Sequence, residues 1–382
     1  MEPSQTYQTV GKPAGWVSRF SQKPVLVFWE VTRSCLLSCV HCRASAIKEP
    51  LPGELTLEEG FRLIDQVASF GKPSPTVIFT GGDPLFRRDI FELLAYAAKA
   101  GVRFGVSPAV TELLTVDALK RLKEAGASAI SISLDGASAQ THDSVRQVPG
   151  TYERTIQAIK DALSIGLNTQ VNTTVMGTNY RELPKLFHLI RTLGVKTWEV
   201  FFLVKVGRGT GVSDLTPEES ESFSNFLYDS SFYGVTVRTV EAPFIRRVVR
   251  QRLRNDQYWQ DEKYLELRRE LLLAEGSSAT GSSSLGPRGT LDGDGIIFVG
   301  YDGTVHPGGL VPVAIGNVKR DDLVKVYREN ELLKDIRSRK MNGHCGVCEY
   351  KEICGGSRAR ASSFGNDVLS SDPACVLVAR SD

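Results

Sequence analysis

Over the first two hundred residues, apolar positions alternate between two rhythms. Short β-prone runs give way to longer segments whose apolar residues recur three and four positions apart, opened by a threonine and closed by a glycine. Residues 25–31 are almost wholly apolar and predict a buried strand. Thr56-Leu57-Glu58-Glu59 has the capping-box pattern; Phe61, Ile64, Val67 and Ala68 share a helix face, and Gly71 ends the helix. Residues 76–80 predict a second strand, followed by Gly81-Gly82-Asp83-Pro84 and a helix that buries Ile90, Leu93, Leu94 and Ala97 before Gly101. The unit then repeats. Residues 102–106 read as a strand, and Thr115 caps a helix carrying Leu119 and Leu122. Residues 129–134 read as a strand running into Asp135-Gly136, and Thr151 caps a helix with Ile156, Ile159 and Leu163. Residues 168–175 read as a strand, and a helix with Leu183, Leu186, Phe187 and Ile190 tolerates Pro184 near its start; residues 197–203 form the sixth strand.

Six strands alternating with five helices predict parallel β/α winding with right-handed crossovers. That count falls short of a closed eight-strand barrel. The pattern divides the chain into a polar leader (1–24), the β/α repeat (25–210), a helical connection (211–290) and a C-terminal module (291–382). Within the connection, Thr216-Pro217-Glu218-Glu219 opens a helix, and residues 276–284 are Gly/Ser-rich and predict a mobile segment. Arg246, Arg247, Arg250, Arg252 and Arg254 read either as a solvated helix face or as a patch for an anionic substrate. In the module, residues 295–300 and 303–307 predict two short strands around a Tyr301-Asp302-Gly303 turn.

Composition narrows the class. At 382 residues with 41% hydrophobic and 24% charged content, the chain is of globular type. A net charge of +2 without a long basic run argues against nucleic acid or a membrane as partner. The first twenty residues contain no apolar run, which predicts no secretory signal. The seven cysteines are odd in number and fall in two clusters, a pattern that points to metal ligation in a reducing cytoplasm.

The first cluster is Cys35-x3-Cys39-x2-Cys42, directly after the first strand. Thiolates suit iron–sulfur clusters and zinc. Three of them can hold three irons of a cubane and leave the fourth open, whereas structural zinc wants four ligands. The second cluster, Cys345-x2-Cys348-x5-Cys354 with Cys375, can ligate one cubane fully or a zinc ion.

Residues 35–42 resemble the signature of the radical S-adenosylmethionine (SAM) superfamily, with His41 at its aromatic position. The resemblance implies a partial (β/α)6 TIM-like barrel, open on one side. It implies a 4Fe-4S cluster on Cys35, Cys39 and Cys42 that cleaves SAM to a 5′-deoxyadenosyl radical, fed by ferredoxin or flavodoxin. Gly81, Gly82 and Asp83 resemble the family's GGE/DP motif for the SAM ammonium. Ser133 and Asp135, with Arg146, are placed to meet the ribose or carboxylate; Asn172 and Thr174 point the same way, and His41 lies near the adenine. Residues 344–356 resemble the SPASM domain, the twitch-like C-terminal module that carries auxiliary clusters. That module has seven cysteines and two clusters; here Gly308 and Gly309 stand at one expected cysteine and Arg358 at another, which implies a single auxiliary cluster on Cys345, Cys348, Cys354 and Cys375. The stretches 29–33, 41–46 and 354–361 are similar to enzymes of d1-type haem synthesis and the alternative haem pathway, which implies a tetrapyrrole substrate whose acid side chains are oxidatively decarboxylated. Such a substrate would give the arginines a role, and His306 a role as axial ligand to its iron. The competing enzyme reading is a maturase of a ribosomal peptide; the non-enzyme reading is a metal-binding regulator.

Overall fold

The computed structural model describes residues 18–256, 258–277, 281–365 and 367–380. The predicted leader lies outside them apart from residues 18–24, as do residues 278–280 of the Gly/Ser segment.

Seven parallel strands follow one another in sequence order: β1 (Leu26–Glu30), β2 (Thr76–Thr80), β3 (Phe104–Val106), β4 (Ile130–Ser133), β5 (Thr169–Val175), β6 (Thr197–Phe202) and β7 (Thr236–Val240). The crossover helices are α1 (Leu57–Ala68), α2 (Ile90–Lys99), α3 (Val116–Glu124), α4 (Ala139–Arg146), α5 (Thr151–Ser164), α6 (Leu183–Thr192) and α7 (Pro217–Ser230). The predicted caps at Thr56, Thr115 and Thr216 are present, each hydroxyl accepting a first-turn amide.

Alternation along each strand sorts side chains to two faces. In β5, Thr169, Val171, Thr173 and Val175 are buried, whereas Gln170, Asn172 and Thr174 are half-buried on the other face. The buried faces meet the helices in one core, where Trp29 packs tilted on Phe79 and Phe79 edge-on to Phe104, with ring centres 5.4 and 5.7 Å apart. The opposite faces line the hollow of the sheet. One side of that hollow is apolar, with Phe28 in register with Ile78. The other is polar, with Ser133, Asn172, Glu199 and Arg238 in one transverse row.

Several local expectations need correction. Thr151 does not cap α5; Gly150 does, at φ +76°, and Thr151 is the first helical residue. The sheet also gains a seventh parallel strand, β7, beyond the sixth. Three of the five arginines, Arg246, Arg247 and Arg252, are engaged within the protein. The five lie on or just after α8 (Ile245–Leu253), and Arg246 and Arg247 are buried. Arg246 donates to the carbonyls of Ile353 and Thr290, Arg247 pairs with Glu221, and Arg252 pairs with Asp229 at 2.5 Å. Guanidinium groups this engaged hold α8 to α7 and to the C-terminal module and have little left for a ligand.

After α9 (Glu262–Glu275) and β8 (Leu291–Asp292), the predicted hairpin forms as β9 (Gly295–Val299) and β10 (Thr304–His306), continued by β11 (Gly316–Asn317). Its first strand docks parallel to β1, with Phe28 opposite Phe298. The C-terminal module is therefore joined to the barrel through the sheet itself.

Candidate functional site

The loop after β1 carries the first three cysteines at the C-terminal end of the strands, where parallel α/β barrels build their sites. It is tied at many points. The Cys35 amide donates to the Ile47 carbonyl at 2.8 Å, and the Ile47 amide returns to Arg33. Arg208, in the loop after β6, donates to the carbonyls of Cys39 and Ala46 at 2.8 and 2.9 Å. Each sulfur receives one N–H: Leu37 donates to Cys35, Ala46 to Cys42 and the Arg146 guanidinium to Cys39, at 3.4, 3.4 and 3.5 Å. Such donors favour thiolate and cluster sulfur over thiol. Burial pushes the Cys35 thiol up to about 12, so its thiolate form needs a metal beside it.

Gly81 and Gly82 lie flat against this loop. The Gly82 amide donates to the Thr32 carbonyl at 2.8 Å and the Asp83 amide to that of Ser34 at 2.7 Å. A Cβ on Gly81 would stand 2.3 Å from the Thr32 oxygen, and one on Gly82 would stand 2.2 Å from that of Ser34. Only residues without a side chain permit this approach. The Asp83 carboxylate is fully buried and already accepts from Leu85, Ala109 and the Thr111 hydroxyl. Burial raises its pKa and those three bonds oppose the rise. Its side chain thus shapes the turn, and the motif presents backbone to its surroundings.

Below the loop, Asp135 and Arg146 form a buried ion pair at 2.5 Å. Burial alone would raise Asp135, but Arg146 beside it holds the carboxyl below its usual range. Asp135 also accepts from the Thr174 amide at 2.8 Å. Its own amide donates to His142 Nδ1 at 3.1 Å, and His142 Nε2 meets the Thr155 hydroxyl at 3.3 Å. His41 is packed into the same group, and burial lowers its pKa to about 4. Ser133 stands one register row below, opposite Asn172, on the hollow's face. The buried atoms His41 Nδ1, Ser34 Oγ and Arg208 Nη2 have no partner among the described residues. Unpaired buried polar atoms around one loop suit a bound polar ligand.

The structure therefore brings together Cys35, Cys39, Cys42, His41, Gly81, Gly82, Asp83, Asp135 and Arg146, with Ser133 adjoining on the strand. Sequence reasoning passed over Arg208. The signal was its place: an arginine directly after a glycine in the loop that follows a barrel strand.

The second cysteine group lines a separate, narrow pocket whose walls include Cys345, Cys348, Cys354 and Cys375. Amides of Asp372, Tyr350 and Gly356 donate to the first three sulfurs at 3.4, 3.5 and 3.4 Å. Amides of Leu377 and Val378 lie at Cys375. Among the described residues, no three His, Cys, Asp or Glu side chains are drawn tightly enough around a point to hold a single metal ion. The four thiols instead surround a space.

An open parallel barrel with a triply hydrogen-bonded cysteine loop over its C-terminal face defines a class. The chain belongs to the radical SAM superfamily, whose family model matches residues 29–190. Within it, the chain is similar to AdoMet-dependent heme synthases. It is 37% identical to the AdoMet-dependent heme synthase of Nitratidesulfovibrio vulgaris, over 92% of this chain and 91% of that protein. It is 35% identical to the protein of that name from Methanosarcina barkeri, over 92% and 96%. The fold matches SuiB of Streptococcus suis bound to SAM, with a TM-score of 0.66 at 15% identity over 93% of this chain and 78% of that one. Membership implies SAM and a 4Fe-4S cluster. Among the described residues, no helix is long and apolar enough to cross a membrane.

Proposed function

We propose that this enzyme oxidatively decarboxylates acid side chains of a tetrapyrrole in haem-type cofactor biosynthesis. The reading rests on the near-full-length similarity to heme synthases, at 37% and 35% identity.

The residues present fit the groups the reaction needs. Each sulfur of Cys35, Cys39 and Cys42 has an N–H donor, and the backbone of Gly81 and Gly82 lies against their loop. These residues would hold the first cluster, and the glycine backbone, with Asp83 fixing its turn, would hold the SAM ammonium. Arg146 and Asp135 stand next to Cys39; with Ser133 and His41 they would meet the rest of SAM. When bound, cluster and SAM supply hydrogen-atom abstraction. The chain orients the ligand through buried, mutually fixed side chains and excludes water from the loop. A low-potential donor such as ferredoxin or flavodoxin would serve the cluster.

The second pocket fits one auxiliary 4Fe-4S cluster on Cys345, Cys348, Cys354 and Cys375, all four positions filled by protein, which suits electron transfer better than substrate binding. Two further observations support a single auxiliary cluster. A Cβ on Gly308 would stand 1.9 Å from Asp292 Oδ1, so no cysteine fits there without displacing Asp292. Arg358 is 1% exposed and donates to the carbonyls of Val368 and Ser370.

The test is product analysis. Anaerobically reconstituted enzyme with SAM, reductant and iron-coproporphyrin III should give a product lighter by carbon dioxide and two hydrogens per side chain. SAM cleavage without mass change in any porphyrin would move the assignment to a peptide substrate.

A further inference from the structure

We infer that His306 Nε2 is an axial ligand to the iron of the tetrapyrrole substrate, and so selects iron-bearing over metal-free macrocycles. The inference rests on the tetrapyrrole reading above.

His306 ends β10 on the same sheet face as Phe298, its cross-strand partner, and the rings lie 6.1 Å apart. Phe298 in turn pairs with Phe28, and Phe28 with Ile78, so the imidazole stands at the end of the apolar wall of the hollow. Arg43, next in sequence to Cys42, lies over the Phe298 ring at 4.5 Å. One side chain thus separates His306 from the cysteine loop.

The ring's orientation is set by its other nitrogen. His306 Nδ1 lies 3.1 Å from the Val313 carbonyl oxygen. A carbonyl only accepts, so Nδ1 carries the proton and Nε2 presents its lone pair. A backbone carbonyl fixing one imidazole nitrogen is the usual support of a metal-ligating histidine. No hydrogen bond is made by Nε2 among the described residues, and the side chain is half-buried. Burial also lowers its pKa, which keeps the ring neutral near pH 7. A lone imidazole with a free, pre-oriented lone pair, set against the buried Phe298 ring, suits ligation of an iron. Nε2 would displace a water from the iron.

The test is a titration of reconstituted holoenzyme with ferric coproporphyrin III and, in parallel, metal-free coproporphyrin III, read by electron paramagnetic resonance and by difference absorption. Wild type should give a histidine-ligated iron signal. His306→Ala should lose that signal and bind the iron porphyrin roughly tenfold or more weakly, while binding the metal-free porphyrin as wild type does. Free imidazole should restore the signal. An identical iron signal and affinity in His306→Ala would overturn the inference and leave the tetrapyrrole reading standing. Failure of wild type to bind either porphyrin would overturn both.

Discussion

Gly82→Ala is the smallest change that sets the barrel against the cysteine loop. The new methyl group would stand 2.2 Å from the Ser34 carbonyl oxygen and 2.6 Å from the carbonyl carbon. Ordinary contact begins near 3.4 Å, so the two backbones must part by about 1.2 Å. No side chain can rotate to relieve this, because the obstacle is main chain on both sides. Parting also lengthens the bonds from Gly82 to Thr32 and from Asp83 to Ser34, now 2.8 and 2.7 Å. Overpacking of this kind costs about 1–3 kcal/mol, and the loss of two buried hydrogen bonds adds about 1 kcal/mol each. A displacement of about 1 Å in a reacting group lowers turnover by roughly a hundredfold. The variant should fold, show a lower urea midpoint, and yield about one hundredth of the 5′-deoxyadenosine per minute. Its C-terminal cysteines should still bind iron. Turnover within about twofold of wild type would refute the claim that the motif and the loop are held by direct backbone contact.

Other outcomes follow from single groups. Folding keeps His142 neutral, with its pKa lowered to about 4 by burial against an ordinary 6.5. As pH falls, the unfolded chain takes up that proton first, so the contribution of His142 to stability should decline between pH 6.5 and 4 by about 3 kcal/mol and then level off. His142→Gln should make that segment of the urea-midpoint profile shallower by its own share and leave the share of His41, whose pKa burial also lowers to about 4. Arg208→Met removes the bonds to Cys39 and Ala46 while keeping bulk; iron should be stripped by a chelator several times faster, and loss at the wild-type rate would remove Arg208 from the account. Cys354→Ser should lower bound iron from about eight to about four per chain while SAM cleavage without substrate continues.

Much of the fold was legible because its signals are local. Thr56, Thr115 and Thr216 announce their helices by capping chemistry that acts within one turn. Gly81 and Gly82 were readable as a close approach, though not what they approach. The unread parts depend on partners far away in sequence. Helix α4 has the sequence AQTHDSVR, with almost no apolar stripe, and is held by the Ser138 cap and by His142 reaching Asp135. Strand β7 is short and polar on one face, and only pairing with β6 defines it. Arg247 and Arg252 of α8 looked free because Glu221 and Asp229 lie on another helix. Strand β9 docks beside β1 across some 270 residues, which no window of sequence displays.

The central claim is that this chain holds SAM beside an acid side chain of a tetrapyrrole. The most direct measurement uses iron-coproporphyrin III deuterated on the propionate carbon attached to the macrocycle. The account predicts deuterium in the 5′-deoxyadenosine that accumulates, with carbon dioxide released from the same side chain. Unlabelled 5′-deoxyadenosine formed alongside an unchanged porphyrin would contradict it.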